Sequence, residues 1–533
     1  MARLKRFAHY SFPAALASSV LTACLAGCGR VNPRPDYARA TDIVAEQTGF
    51  EPIYNPELDD QIARMVDELF TDGLTTDEAV RIALLNNPNF QALFHDIGAS
   101  RADVVQSRLI TNPTAALAAE FPDAGGRAKL TFSWAQQIAE LWQIPARSRI
   151  AEQKLEQVIY NAALQAEAIA AEVRTRYWRV VGWEESARLT NENLEIAQRM
   201  LELGQRQLEA GEVGALDVAL LQTGVLDVQL ELLNIQRDRE LALADLRASL
   251  GLSCQKREWR LIDQLPEPAT LALADEDLIR AAFQNRLDIC IAAAKVNAAE
   301  ADVRLQEARI FSDVAPGLGF ERIEQRSGAI PTRTPLADTL RDSIAAGQLT
   351  APTLQSRAQR QAEKSTLENT VLGPALAASI PIWDQNLAQI AKARFLLARN
   401  INEYENTLIT VVEDVRRAAA TARVAASITL LNNTEVLPLA LQNVEASERL
   451  YEAGEQTVLT LLQAQQNVIA RRRTYVTALR DYSIAMADLE RAVGARLPKE
   501  ELEPEPQPPG FEPVPASPQT QPTPAHSQSQ PTE

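Results

Sequence analysis

Few side chains in this sequence could do covalent or metal chemistry. The histidines stand at 9, 95 and 526, and the cysteines at 24, 28, 254 and 290. There is no Gly-Xaa-Ser-Xaa-Gly elbow to present a serine nucleophile and no Gly-Lys-Ser/Thr loop to cradle a phosphate. His9 falls in an apolar leader and His526 in a proline-rich tail, which leaves His95 alone on a helical stretch. The expectation is therefore no enzyme, no metal site and no cofactor. The net charge of −17 and pI near 4.9 argue against nucleic acid as a partner.

Cys28 is the cysteine with a chemical context. Arg3, Lys5 and Arg6 form a basic start, Ala14 to Leu25 an apolar core, and Leu25-Ala26-Gly27-Cys28 a small-residue cleavage site. This resembles the bacterial lipoprotein lipobox, which implies a signal peptide over 1–27 and acylation of Cys28; Leu21-Thr22-Ala23-Cys24 is a second, weaker match, and an ordinary signal peptide with incidental cysteines is the alternative. Several acyl chains on one residue would hold a protein stably at a membrane. Cys254 and Cys290 are the cysteines left after export, and their spacing does not by itself support a disulfide.

The other distinctive residues recur. Glu209-Ala210-Gly211-Glu212 with Leu216 and Gln222 returns as Glu452-Ala453-Gly454-Glu455 with Leu459 and Gln465, at an offset of 243. Each copy is a glycine break between two long helical patterns, so each reads as the tip of a helical hairpin. Further upstream the repeat holds at an offset of 199, with Arg81 on Arg280 and Asn86 on Asn285. The chain is a tandem duplication. Its expected parts are a tether over 28–72, a first repeat over 73–251, a linker over 252–274, a second repeat over 275–497 and a disordered tail over 498–533. The two offsets differ by 44 residues, placed as an inserted loop over 323–370.

The elements that must position these residues are mostly helices. Aromatics make up 5% and the hydrophobic class 46%, so Ala, Leu and Val carry the apolar content that closely packed helices need. Thr75 or Thr76 caps a helix running to about Ile110, with Pro88 as a kink or junction. A long helix over 146–210 would span roughly 97 Å, and helices over 76–110 and 216–250 roughly 52 Å each. Each half therefore reads as one long helix beside two shorter ones stacked end to end. Tyr475, Leu479, Tyr482, Met486, Leu489 and Val493 keep the seven-residue step of coiled-coil packing, as do Ile401 to Ala425; a plain antiparallel bundle would show the same.

Four stretches change period. Leu130, Phe132 and Trp134 alternate with Lys129, Thr131 and Ser133, as a strand does. Thr114 to Phe121 is a partner, and further candidates lie at Leu318 with Phe320 and at Leu376, Ile380 and Ile382. No run of about 20 apolar residues follows the leader, so a membrane crossing would have to be made by strands. Trp134, Trp142 and Trp383 fall near strand ends, where an interfacial belt or core packing would equally want them.

Leu74-Thr75-Thr76-Asp77-Glu78-Ala79 leading to Asn86-Asn87-Pro88, the two Ala-Gly tips, and Ile380-Pro381-Ile382-Trp383-Asp384-Gln385-Asn386 together resemble the TolC-like outer-membrane efflux proteins over about residues 70–497. The resemblance implies a mainly α chain with a small β part. Its duplicated helical hairpins would form a trimeric α-barrel, and its four strands would join a shared transmembrane β-barrel. A homotrimer is physically apt, since four strands cannot close alone and an open edge cannot sit in lipid. It also implies an outer-membrane location extending into the periplasm, and partners: a periplasmic membrane-fusion adaptor, an inner-membrane pump and outer-membrane lipid.

Carried onto this sequence, the adaptor-docking tips are Gly211, Glu212, Val213, Gly214 and Leu216, and Gly454, Glu455, Gln456, Thr457 and Leu459. Some relatives narrow the entrance with acidic rings after the second tip. Here those positions are Thr460 and Gln463, so Asp217 after the first tip is the candidate ring. The segment Ile380 to Asn386 looks somewhat like the branch associated with heavy-metal efflux. The rival reading is a periplasmic coiled-coil lipoprotein acting as adaptor or spacer.

Overall fold

A computed structural model describes residues 30–70, 73–121, 128–211, 213–252, 259–268, 270–271, 274–324, 344–347, 368–453, 455–497 and 502–503. Eleven helices and six strands are described: α1 Arg34–Thr48, α2 Asp59–Glu68, α3 Thr76–Asn86, α4 Pro88–Ser107, β1 Thr114–Glu120, β2 Lys129–Ala135, α5 Glu140–Ala210, α6 Ala215–Ser249, β3 Thr270–Leu271, α7 Asp275–Asn285, α8 Leu287–Ala308, β4 Val314–Glu324, β5 Glu368–Ala378, α9 Leu387–Leu431, α10 Leu437–Glu452, α11 Val458–Val493 and β6 Leu502–Glu503.

The duplicated order follows from local chemistry. Thr75 caps α3, accepting from the Glu78 N–H while the Glu78 carboxylate returns to the Thr75 N–H (2.8 Å), a reciprocal capping box. Asn87 is extended, as a residue before proline tends to be, and its side chain caps α4. Of the kink or junction expected at Pro88, the structure has the junction, a clean break between two helices, and the second repeat breaks likewise at Arg286. α5 runs for 71 residues alongside α3, α4 and α6, and it also meets α8 and α11 of the second repeat.

Three expectations change. The prolines of the expected tether suggest an extended chain, yet α1 and the segment after it pack into the main core, burying Tyr37, Ala40, Val44, Phe50, Ile53 and Tyr54. Pro33 and Pro35 stand at the start of α1, where a missing N–H costs nothing, so they start a helix instead of preventing one. The helix expected to run unbroken to Ala453 is interrupted by a π-turn over Asn432–Val436. Pro438 has no N–H to give the carbonyl four residues back, and the preceding Leu437 N–H reaches five back to Asn432. Strand β5 ends at Ala378, so Ile380 and Ile382 belong to the turn after it.

Among the described residues, two helices, α6 and the continuous run Leu387–Tyr451, are long and apolar enough by composition to cross a membrane, against the expectation of none. Only 22% and 17% of their apolar windows are buried. Of the expected insert 323–370, only Ile323, Glu324, 344–347 and 368–370 lie within the described residues. The leader with Cys28, residue Cys254 and most of the tail lie outside them, while Cys290 is a half-buried free thiol.

A buried tyrosine ties the first repeat to the linker. Tyr177, in mid-α5, donates its hydroxyl to the Leu74 carbonyl (2.8 Å) and accepts from the Asp263 N–H (3.2 Å). Asp263 in turn accepts from the Thr76 N–H and hydroxyl at 2.7 and 2.6 Å. Burial pushes the Tyr177 phenol well above its ordinary range, so it stays a neutral donor.

Candidate functional site

The candidate surfaces lie at the two ends of the long helices. At one end β1, β2, β4 and β5 form an antiparallel sheet in that order. Directly paired residues share a face, so the register assigns both faces. One face carries the rows Ala115-Trp134-Leu318-Pro374, Leu117-Phe132-Phe320-Leu372 and Ala119-Leu130-Arg322-Thr370. The other carries Thr114-Ala135-Gly317-Ala375, Ala116-Ser133-Gly319-Gly373 and Ala118-Thr131-Glu321-Val371.

The first face is apolar and exposed apart from Arg322 and Thr370 in its last row: Leu117, Leu372 and Leu376 are 76%, 71% and 70% accessible. The second is small or polar, and on it Lys129 pairs with Glu321 (3.0 Å) and approaches Glu120 (3.9 Å). A dyad alternation of this kind suits a sheet with lipid on one side and water on the other. β4 and β5, at 11 residues each, match the length of a tilted outer-membrane strand. β1 and β5 leave two unpaired edges.

The sheet is fastened to the helices by polar clamps. The Glu140 carboxylate, at the start of α5, accepts from the Thr111 hydroxyl and its N–H (2.8 Å). That hydroxyl bond, with the N–H and nearby Arg147, holds the carboxyl below its ordinary range against the opposing effect of burial. Arg147 donates to the Ser107 and Leu109 carbonyls at 2.7 and 2.6 Å. Of the three tryptophans near strand ends, Trp134 lies on the apolar face and Trp142 donates its N–H to the Ala308 carbonyl (3.1 Å). Trp383 is 96% accessible.

At the other end lie the two tips. Gly211 has φ of 76°, and a Cβ there would meet nothing within 4 Å, so backbone sign and not space selects glycine. Gly214 caps α6, and its N–H is accepted by the Asp217 carboxylate at 3.0 Å. The candidate ring residue is therefore already a helix cap. Val213 is half-buried, while Leu216 is 72% accessible.

At the second tip Thr457 takes the place of Gly214, and its hydroxyl lies 3.1 Å from that of Thr460, the counterpart of Asp217. Glu455 is exposed, and the half-buried Gln456 has an unpaired Oε1. Glu212, Gly454 and the Leu459 side chain lie outside the described residues.

Some inter-hairpin contacts had no local signal in the sequence. Gln207 donates to the Tyr451 hydroxyl (3.1 Å), and Met200 and Leu221 pack with Leu461 and Leu462. Arg473 pairs with Glu231, and Arg472 lies 3.7 Å from Glu192. Arg472 and Arg473 thus join the hairpins, while Arg471 donates to Asn467 of its own helix (3.2 Å). His95 is exposed, and among the described residues no group of three or more His, Cys, Asp or Glu is placed to hold a metal.

The sequence profile of the outer membrane efflux protein family matches residues 79–252 and 278–495. The pyoverdine export outer membrane protein OpmQ of Pseudomonas aeruginosa is 24% identical over 353 residues, which cover 66% of this chain and 65% of that protein. In the solved structures, a membrane protein from Pseudomonas aeruginosa superposes with a TM-score of 0.57 at 19% identity, covering 83% of this chain and 93% of its own. The outer membrane protein VceC of Vibrio cholerae gives 0.58 at 15% identity, covering 79% and 96%. The MtrE outer membrane channel of Neisseria gonorrhoeae, in its open state, gives 0.55 at 16%, covering 79% and 89%. At these identities the structural likenesses bear on the fold.

Proposed function

Because this chain belongs to the outer membrane efflux protein family, we propose that it is the outer-membrane channel component of a tripartite efflux system, conducting solutes passively from periplasm to exterior. The observation that carries the reading is the sheet, with one apolar exposed face, one small or polar face and two open edges. β1 runs away from the helices and β5 returns, so β5 of one copy can lie antiparallel to β1 of the next. Three copies would close a 12-stranded barrel with lipid outside and water within.

The helices ask for the same cover. Leu220, Leu226, Leu230, Leu233 and Leu241 of α6 are each more than half exposed. In a homotrimer the neighbouring copies would bury them, as an exposed apolar face of this extent requires. The two tips per copy would then form the periplasmic mouth, with Gly211 to Leu216 and Gly454 to Leu459 meeting a membrane-fusion adaptor that is bound to an inner-membrane pump. Asp217 would stand as one residue of an entrance ring. Acyl chains on Cys28 would add an anchor in outer-membrane lipid. The channel itself uses no cofactor and no catalysis; the pump supplies the energy.

A periplasmic adaptor or spacer would have no use for a two-faced sheet. Ion conductance by the purified oligomer in planar bilayers tests the reading. A protein that stays monomeric and non-conducting in membranes would overturn it. Substrate follows from gene deletion, with siderophores, metals and antibiotics as the panel. The pyoverdine exporter among its relatives makes siderophores the first arm.

A further inference from the structure

The conduit reading leaves one large cavity without a task. It holds about 900 Å³ between α5, α11 and the linker residues 260–265, a volume typical of clefts that seat a ligand. Leu189, Leu265, Leu437 and Leu479 line it with apolar surface, Leu437 being the first residue after the π-turn. Its charged lining is nearly all engaged. Arg188 is held by Glu185 (2.5 Å), Glu184 takes Arg239 (3.0 Å), and Arg472 lies 3.7 Å from Glu192. Asp263 is occupied by Thr76. Arg260 is the exception: among the described residues its guanidinium has no carboxylate, and only its carbonyl is used, by the Leu74 N–H (2.9 Å). An apolar side chain beside a carboxylate would match this lining.

The small sheet β3–β6 sends such a segment towards it. β3 follows the linker and rests on α9, and β6 pairs with it antiparallel, Thr270 opposite Glu503 and Leu271 opposite Leu502. The chain enters β3 from the cavity side, so antiparallel pairing turns the chain leaving β6 back along the linker. Eight steps separate Thr270 from Ile262 on the cavity wall, and eight separate Glu503 from Phe511. Extended, eight residues reach at most roughly 26–29 Å, so the two stretches are matched in reach.

The residues that arrive there have the required chemistry. Residues 504–533 lie outside the described residues; in their sequence Phe511 and Val514 are the only large apolar side chains, and Glu512 stands between them. Pro504, Pro506, Pro508 and Pro509 precede them, a composition that favours the polyproline II conformation. With three residues per turn, that conformation puts positions 511 and 514 on one face. We propose that the cavity seats the chain's own segment 504–514, with Phe511 and Val514 against the leucines and Glu512 on Arg260. Since α5 belongs to the first repeat and α11 to the second, the seated segment straps the repeats together. The inference does not depend on conduction.

Hydrogen exchange on the full-length protein reads the seat at the amides of residues 261–265. Phe511→Ser should speed their exchange about tenfold or more, as loss of a buried aromatic anchor implies, while Gln519→Ser should leave it unchanged. Glu512→Arg should act in the same direction, and adding Arg260→Glu should restore protection, which a general loosening would not allow. A benzophenone amino acid placed at position 511 should cross-link on irradiation to 261–265 or to 475–479 of its own chain. Unchanged exchange in Phe511→Ser, or no rescue by Arg260→Glu, overturns the seat. A cross-linked dimer on denaturing gels does so too, since it puts the segment on a second copy.

Discussion

The two repeats share an order of elements but are held together differently. In the first, α5 is unbroken over 71 residues and the core runs continuously from Tyr37 to Leu287. In the second, the corresponding helix is interrupted by a π-turn, and its core comprises a short set around Leu278, Val411, Val415 and Leu489. One pair of positions shows why. Phe94, fully buried, packs edge-on against Phe90 and Tyr54, whereas its counterpart at the offset of 199 is Ala293. Tyr54 comes from the N-terminal segment, which packs chiefly on the first repeat. Duplication preserved the backbone plan, and burial was then concentrated in one copy.

Truncating the aromatic centre of the first repeat should have the largest effect. Phe94→Ala is expected to cost about 3–5 kcal/mol, the usual range for a buried Phe. Denaturant unfolding followed by limited proteolysis should show cleavage appearing first within residues 34–107. Equal sensitivity in α7 and α8 would contradict the contrast. Next comes Tyr177→Phe, which leaves the Asp263 N–H without its partner, while the Leu74 carbonyl keeps the Ile262 N–H (3.1 Å). A loss of about 1–3 kcal/mol is expected. A double-mutant cycle with Asp263→Ala should be non-additive, because both changes disturb the same node.

The tips offer a smaller test of the same divergence. Asp217→Ala removes the carboxylate that accepts the Gly214 N–H, at about 1 kcal/mol for a helix cap. Thr460→Ala removes a hydroxyl pairing and should cost less than Asp217→Ala. Amide exchange in the first turns of α6 and α11 would measure both. Asp217→Asn separates the two roles of this residue, since the amide oxygen can still cap while an acidic ring would lose its charge. Retained protection with altered ion selectivity in bilayers would assign Asp217 to the entrance.

What was legible in the sequence divides along physical lines. Helical hairpins were readable because Gly211 and the seven-residue steps are local signals. The strand face at Leu130, Phe132 and Trp134 was readable because apolar and polar side chains alternate strictly along it. The end of β5 was not: its residues are largely Ala, Gly and Pro, while the apolar Ile380, Ile382 and Trp383 just beyond drew the boundary too far. The core role of residues 34–56 hid behind prolines and a stripe of three residues, Tyr37, Ala40 and Val44. Of the site, the tips could be located but not their neighbours. The approach of Gln207 to Tyr451, and of Arg473 to Glu231, joins residues more than 240 positions apart, and no periodicity encodes such a pairing.

The smallest expected effect is at the π-turn, and it bears most directly on why the second repeat differs. Leu437 reaches five residues back because Pro438, next along, cannot donate to the carbonyl of Thr434 and its ring would crowd that oxygen. Glu195 stands at the matching position of the first repeat, where the helix is regular. Pro438→Ala restores the donor and removes the crowding, so the helix should close into a continuous α ladder. Amides of residues 434–442 are then expected to gain protection, with little change in overall stability. Installing the proline in the first repeat, as Glu195→Pro, should produce the opposite local loss. If Pro438→Ala leaves the exchange pattern unchanged, the π-turn is imposed by packing against α11 and not by the proline.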